Sequence, residues 1–252
     1  MKQDIILRIR KYFQELGKII GKDCDTYMMN QMVIFGYVVT SPMLKMVDGE
    51  ETYQFFVRVD RKSDKADIIP VWLEKNSSTI GIPFIPVNTE IMILGEYRSV
   101  NWTDDNGKRH LEMYLRAVDY YVGSVHRDEE FDNNIVLMDG FICTKPTIKN
   151  TYSGRTICDF MIAINDGINE PEYFPIIAWG MKAKEIFSNY RVGDKLTILG
   201  RVQSREYHKG DQSYIAYEIS SRFIKRHLKE REREIEYPFE MRHQYELEKS
   251  AV

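Results

Sequence analysis

The chain aligns with itself. Residues 30–42, NQMVIFGYVVTSP, lie on 134–146, NIVLMDGFICTKP, at an offset of 104, with Gly36 on Gly140, Thr40 on Thr144 and Pro42 on Pro146. At the same offset TYQFFVRV (52–59) lies on TICDFMIA (156–163), which places Phe56 on Phe160. One residue further on, VNTEIMILGEYRS (87–99) lies on VGDKLTILGRVQS (192–204), with Ile93-Leu94-Gly95 on Ile198-Leu199-Gly200. The hairpin tips Asn106-Gly107 and Lys209-Gly210 match at 103. Preserved apolar runs with small insertions at turns are the mark of one fold used twice.

Each copy reads as all-β. VIFGYVV, QFFVRV, EIMILGEYR and LEMYLRAVDYYV are β-branched and aromatic runs bounded by Gly, Pro, Asn or Asp. TDDNGKR and HKGDQS carry hairpin punctuation. About five strands in roughly 100 residues, with one helical insertion, suit a small closed barrel better than a sandwich. In copy two the insertion is MKAKEIFSNYRVGD (181–194), with Ala183, Ile186, Phe187 and Tyr190 on one helical face and a stop at Gly193. In copy one the same interval, 74–88, carries two prolines and a glycine, which predicts loss of the helix.

Four segments follow: an N-terminal amphipathic helix within 1–27, a diverged first barrel at 28–126, a second barrel at 131–228, and a charged, partly helical tail at 229–252. The helix is read from Ile5, Ile6, Ile9, Phe13, Leu16 and Ile20 recurring at helical spacing over 3–22. In the tail Pro238 interrupts any helix.

At 43% hydrophobic residues the chain can fill two cores, so wholesale disorder is excluded. No run approaches the roughly 18 apolar residues of a membrane span, and MKQDIILRIRKYF has neither the pattern nor the cleavage site of a secretory signal. Three cysteines (Cys24, Cys143, Cys158) without CxxC spacing fit a reducing cytoplasm rather than a disulfide framework. The net charge of −3 hides an asymmetry: residues 131–229 carry +3 and residues 28–126 carry −3. Local patches, not totals, decide nucleic-acid binding. The five histidines are scattered, and no HExxH, Cys/His cluster, phosphate loop or GxSxG elbow occurs, so neither catalysis, nor a metal, nor a cofactor is expected.

The second half, DGFICTKPTIKNTYSGRTICDFMIAIND (139–166) and EYFPIIAWGMKAKEIFSNYRVGDKLTILGRVQSREYHKGDQSYIAYEI (172–219), resembles the bacterial single-stranded DNA-binding protein family. The order and spacing of the opening strand, the YSG turn, the AWG tripeptide before a helix ending in GD, and the LxGRVQSR strand carry the resemblance. It implies tandem oligonucleotide-binding (OB) barrels, no catalysis, and four barrels as the working unit. Two barrels per chain then imply a homodimer, cytoplasmic and nucleoid-associated, whose partner is single-stranded DNA, with RNA not excluded.

Bases present π-faces whatever their identity, and aromatic side chains beside Lys and Arg hold strands without reading sequence. The resemblance places stacking aromatics at Trp179, Tyr173 and Tyr207, with Trp102 in the place equivalent to Tyr207. A core role is the alternative for Trp179, and Phe174 competes with Tyr173 for exposure. Tyr152 is read as a base contact or a turn-packing tyrosine. Lys149, Arg155, Lys182, Arg191, Arg201 and Arg205 are the candidate phosphate contacts, each otherwise an ordinary solvated charge.

Three departures qualify the resemblance. Met181 stands where Lys is common, and Glu206 precedes the hairpin aromatic. The chain ends Glu248-Lys249-Ser250-Ala251-Val252, while the nearest echo of the family's acidic tip is Glu236-Tyr237-Pro238-Phe239. Tail-mediated recruitment is therefore not expected, which suggests a mobile-element or accessory version. The acidic first copy, with Asp64, Asp67, Asp104 and Asp105 read as crowding its loops, is expected to bind strands weakly. The rival reading is a protein–protein scaffold in a primosome-like or recombination assembly.

Overall fold

The computed structural model describes Lys11 and residues 30–47, 49–75, 85–123, 132–165, 170–209 and 212–227. The expected helix over 3–22 (apart from Lys11), the interval 76–84, the tip at Gly210 and the tail from 228 lie outside the described residues.

The first copy forms β1 (Asn30–Val38), β2 (Met43–Val47), β3 (Glu50–Asp60), β4 (Ala66–Glu74), β5 (Glu90–Thr103) and β6 (Arg109–Val122). The second forms β7 (Asn134–Ile142), β8 (Thr147–Asn150), β9 (Thr156–Ile164), β10 (Glu172–Trp179), α1 (Gly180–Asn189), β11 (Lys195–Lys209) and β12 (Gln212–His227). Six strands per copy, rather than five, arise because the first strand bends at 39–42 and both of its arms pair with β3. Pairings β1–β3–β4–β6–β5–β1 close a ring, with β4 and β6 parallel and all other neighbours antiparallel. β7–β9–β10–β12–β11–β7 closes in the same way, with β10 and β12 parallel. That is the OB topology, twice.

The repeated residues earn their places by close packing. A Cβ on Gly95 would lie 2.0 Å from the Arg116 carbonyl oxygen, and one on its counterpart Gly200 would lie 2.6 Å from that of Ser220. Both glycines sit at a bulge in the long hairpin. Thr40 and Thr144 do equivalent work: their hydroxyls accept the N–H of Phe56 (3.0 Å) and of Met161 (2.8 Å).

Those two bonds correct the alignment of the third strand. Phe56 corresponds to Met161, so Phe55, not Phe56, is the counterpart of Phe160. Phe55 and Phe160 are buried in the cores, and Phe56 is 40% exposed. The extra residue is taken up between β8 and β9, where Asn150 pairs with Thr156, against Val47 with Glu50 in copy one. A slip of one residue in a strand moves a side chain to the other face.

α1 ends at Asn189, earlier than expected, and Tyr190 donates its N–H to the Ile186 carbonyl. Ala183, Ile186 and Tyr190 face the core; Phe187, expected beside them, is 44% exposed.

The barrels join through their first strands. β1 pairs antiparallel with β7, from Asn30 opposite Met138 to Ile34 opposite Asn134. Beyond the barrels each long hairpin crosses onto the other copy. Ser204 of β11 donates its N–H to Asp67 Oδ1 (2.7 Å) and accepts the Ile68 N–H (3.2 Å). The mirror contacts run from Ser99 of β5 to Glu172 Oε2 (2.8 Å) and from the Tyr173 N–H to Ser99 Oγ (2.9 Å). Asp67 is thus not a loop charge: it is buried in β4 and paired with Arg61, whose Nε lies 2.9 Å away. Tyr97 and Phe174, both fully buried, meet across the same boundary with ring centroids 5.8 Å apart. Among the described residues no helix is long and apolar enough to cross a membrane.

Candidate nucleic-acid interface

Alternation along β10 decides which aromatics face out. Phe174, Ile176 and Ala178 point into the barrel and are buried, so Tyr173, Ile177 and Trp179 point away from it. Of the competing pair, Phe174 is core and Tyr173 is half-buried on the outer face. Directly paired residues share a face, so the outer side can be followed from strand to strand. It runs from Trp179 through Ile157 to Lys149 at the β8 edge. In the other direction it passes from Ile177 to Ser220 and Arg201, then along β11 to Arg205 and Tyr207. Six of the expected residues (Lys149, Tyr173, Trp179, Arg201, Arg205 and Tyr207) therefore share one curved surface of the second barrel.

Their environments differ. Trp179 is half-buried, and its indole N–H donates to Ser220 Oγ at 2.9 Å, which fixes the ring while leaving part of it open. Tyr207 is 41% exposed and lies alongside Tyr214, its cross-strand partner, with centroids 5.6 Å apart. Tyr214 was not singled out from the sequence. The pairing of β11 with β12 would have shown it, because any aromatic opposite Tyr207 shares its face. Lys108, from the first copy's hairpin tip, places its ammonium 5.3 Å from the Tyr214 ring centroid. Partial burial, with Arg61 nearby, lowers the Arg201 pKa. A positive group held without full solvation is poised to gain from a phosphate.

The other candidates lie elsewhere or are already engaged. Lys149 shares the face but is ion-paired with Asp159. Lys182 on α1 pairs with Glu185 at 2.8 Å. Arg191 donates to the carbonyls of Ser188 and Tyr190 (2.8 Å each), capping the end of α1. Tyr152 stands fully exposed in the β8–β9 loop with Arg155 beside it, and the Arg155 N–H donates to Thr151 Oγ1. Trp102, on the first copy's hairpin, is 46% exposed and stacks on His110 at 4.4 Å. Asp104 holds that hairpin turn. Its carboxylate accepts the N–H groups of Asn106 and Lys108 and meets His110 Nε2 at 2.9 Å.

A family model described as the Single-strand binding protein family matches residues 132–227, the span of the second barrel. Single-stranded DNA-binding protein 1 of Clostridium acetobutylicum is 31% identical over 91 residues, covering 83% of that protein and 32% of this chain. The chain belongs to the single-strand binding protein family. Its members are binding proteins, not enzymes. The single-stranded DNA-binding protein of Clostridium tetani is 30% identical over 84 residues, and there the chain spans 58% of the relative's length. The crystal structure of the wild-type single-stranded DNA binding protein from Thermus aquaticus superposes with a TM-score of 0.62 at 18% identity, covering 79% of this chain and 93% of that one. A deletion mutant of the same protein covers 84% of this chain, with a TM-score of 0.62. The likeness of fold therefore takes in both barrels.

Within this family member the two copies have parted chemically. Where the second barrel's outer face has Tyr173, Trp179, Arg201 and Arg205, the first has Ile68, Glu74, Glu96 and Val100 at the equivalent positions. Only Trp102 keeps an aromatic, in place of Tyr207. Two of the first barrel's arginines are met by carboxylates: Arg116 by Glu74 (3.1 Å) and Glu96 (3.4 Å), and Arg98 by Glu96 (2.9 Å) and Glu172. Between them Trp72 and Tyr114 stack on each other at 3.7 Å. The sequence reading missed this pair because Trp72 sits two residues before Glu74, off the register of Trp179.

Proposed function

We propose that the outer face of the second barrel, within 131–228, binds single-stranded DNA largely without regard to sequence. Bases stack on Trp179, Tyr173 and Tyr207, while Arg201 and Arg205 meet phosphates. The observation that carries this reading is one continuous face holding three partly open aromatics together with the partly buried Arg201, which Arg61 and Asp67 both influence, and the exposed Arg205. Lys149, Tyr152 and Arg155 extend it at the loop edge, and Lys182 and Arg191 lie on its flank. The first barrel, within 28–126, contributes Trp102 at its hairpin and otherwise serves assembly, because Arg98 and Arg116 on its face are already neutralised. A role in shielding strands during replication, repair or recombination, in the cytoplasm and at the nucleoid, follows from such chemistry. The homodimer of the sequence reading would unite four barrels, but strand binding by this face does not require it.

The test is a fluorescence titration of the full chain with oligo-dT at several salt concentrations, with duplex DNA and poly-U as controls. Quenching and an affinity that falls with salt, by about 0.7 in log–log slope per phosphate contact, are expected for oligo-dT. Tight poly-U binding would reassign the ligand to RNA. Absence of salt-sensitive binding from folded protein would leave the scaffold reading in its place.

A further inference from the structure

The outer face of the first barrel can be followed from strand to strand, because paired residues share a face. One row runs from Met43 through Gln54, Trp72 and Arg116 to Glu96. Two residues along those strands, on the same side, lie Phe56, Pro70, Tyr114 and Arg98. Met43 and Phe56 are exposed, and the half-buried rings of Trp72 and Tyr114 stack within 15° of parallel. A groove of about 190 Å³ opens here, with that ring pair, Arg98, Arg116, Glu50 and Glu74 in its lining. Open apolar side chains grouped on one surface mark a place where a partner sits. The charges say which kind. Arg98 and Arg116 are held by Glu74, Glu96 and Glu172, and Arg58, at the margin, is paired with Asp60 at 3.1 Å. Glu50 and Glu112 add to the carboxylates and Lys45 to the cations, which leaves the face negative. On the second barrel the positions of Glu96 and Val100 hold Arg201 and Arg205 instead.

We infer that this face docks a basic segment of a partner protein, one that carries arginines among apolar side chains. A ring pair beside carboxylates suits a guanidinium, whose flat face lies on an aromatic ring while its edge meets a carboxylate. The open Met43 and Phe56 suit the apolar residues in between, and methionine adapts to irregular shapes. A phosphate backbone meets the opposite arrangement here. The surplus carboxylates repel it, and Arg98 and Arg116, which could attract it, are already occupied. Charge complementarity thus selects the partner. The duplication then divides the work, with one outer face for a strand and the other for a protein held alongside it. The docking shares no residue with the strand-binding reading of the second barrel and does not depend on it.

The probe is a short peptide of arginine, leucine and glycine, with a control peptide in which glutamate replaces each arginine. Each is added to the full chain while the three indole N–H signals, those of Trp72, Trp102 and Trp179, are followed by NMR. The arginine peptide should shift the Trp72 signal saturably and leave that of Trp179 in place, and the glutamate peptide should shift neither. Trp72→Ala should weaken peptide binding roughly 2- to 30-fold and Glu74→Gln roughly 2- to 5-fold, both with oligo-dT affinity kept. An unmoved Trp72 signal, or equal shifts of all the indoles, would overturn the inference. So would a Trp72 shift on adding oligo-dT, which would give the face to strands. A doubled mass by light scattering that Glu74→Gln returns to that of one chain would also overturn it, and would give the face to a second copy. If Trp72→Ala fails to fold, Glu74→Gln and the indole signals of the unmodified protein still decide.

Discussion

Met32 pairs across the barrel boundary with Val136, its own counterpart in the second copy. A residue that meets its equivalent in an antiparallel ladder marks a local two-fold axis, so the chain is an internal dimer. The symmetry extends to the side chains that fix the register. Asn30 bridges the N–H and carbonyl of Tyr97, and Asn134 bridges those of Val202, 3.0 Å and 2.7 Å away. Duplication thus keeps within one chain the pairing that separate barrels would need to find by association.

Asn134 should be costly to lose. It is buried, and its removal leaves both the N–H and the carbonyl of Val202 without partners. At about 1–3 kcal/mol for each unsatisfied buried group, Asn134→Ala should lower the denaturant midpoint clearly. Asn134→Asp should do nearly as much harm, since a carboxylate keeps the bond to the N–H and loses the one to the carbonyl.

Gly95→Ala should be worse than Gly107→Ala. At Gly95 the new methyl group meets backbone oxygen at 2.0 Å; at Gly107 nothing lies within 4 Å and only the φ of +76° resists. Overpacking costs about 1–3 kcal/mol or more, and here the obstacle is backbone that cannot swing aside. Thermal unfolding of the two variants would rank them.

Tyr97→Phe should stabilise the protein by about 1 kcal/mol. The ring is fully buried against Phe174, and its hydroxyl has no hydrogen-bond partner among the described residues. Burial, reinforced by Tyr217 and Asp67, drives the phenol pKa well above its ordinary value. The hydroxyl therefore stays protonated at any working pH, and its removal should change stability without changing the pH profile.

The turn at Asp104 should weaken in acid. The His110 hydrogen bond, then the Lys108 and Asn106 N–H groups, lower its carboxyl pKa below the ordinary 3.8. A depressed carboxyl stabilises the fold above its unfolded value and loses that contribution as pH falls through the folded one. NMR titration should find Asp104 below 3.8, and His110→Ala should move it back up.

Much of this was legible from residues alone. The paired glycines and Thr40 with Thr144 are local devices that the repeat displays twice, and the Asp104 turn is a local device of the first copy's hairpin alone. Phe56 misled because an ungapped alignment cannot see a residue inserted at a turn, and two adjacent phenylalanines made either register plausible. The β1–β7 pairing and the Asp67–Ser204 contact left no trace, since an ordinary carboxylate and serine gain their meaning only when two distant strands meet. Trp72 and Tyr114 were invisible for the same reason: their stack exists only because β4 and β6 run parallel side by side.

The proposed reading holds strands on the outer face of the second barrel and not on that of the first. Oligo-dT affinity of Trp179→Ala, measured beside Trp72→Ala with fold checked by circular dichroism, tests it most directly. A lost stack is worth about 1–3 kcal/mol, so Trp179→Ala should bind roughly 5- to 150-fold more weakly while Trp72→Ala binds as the parent does. Equal losses in both variants, or a loss confined to Trp72→Ala, would contradict the account.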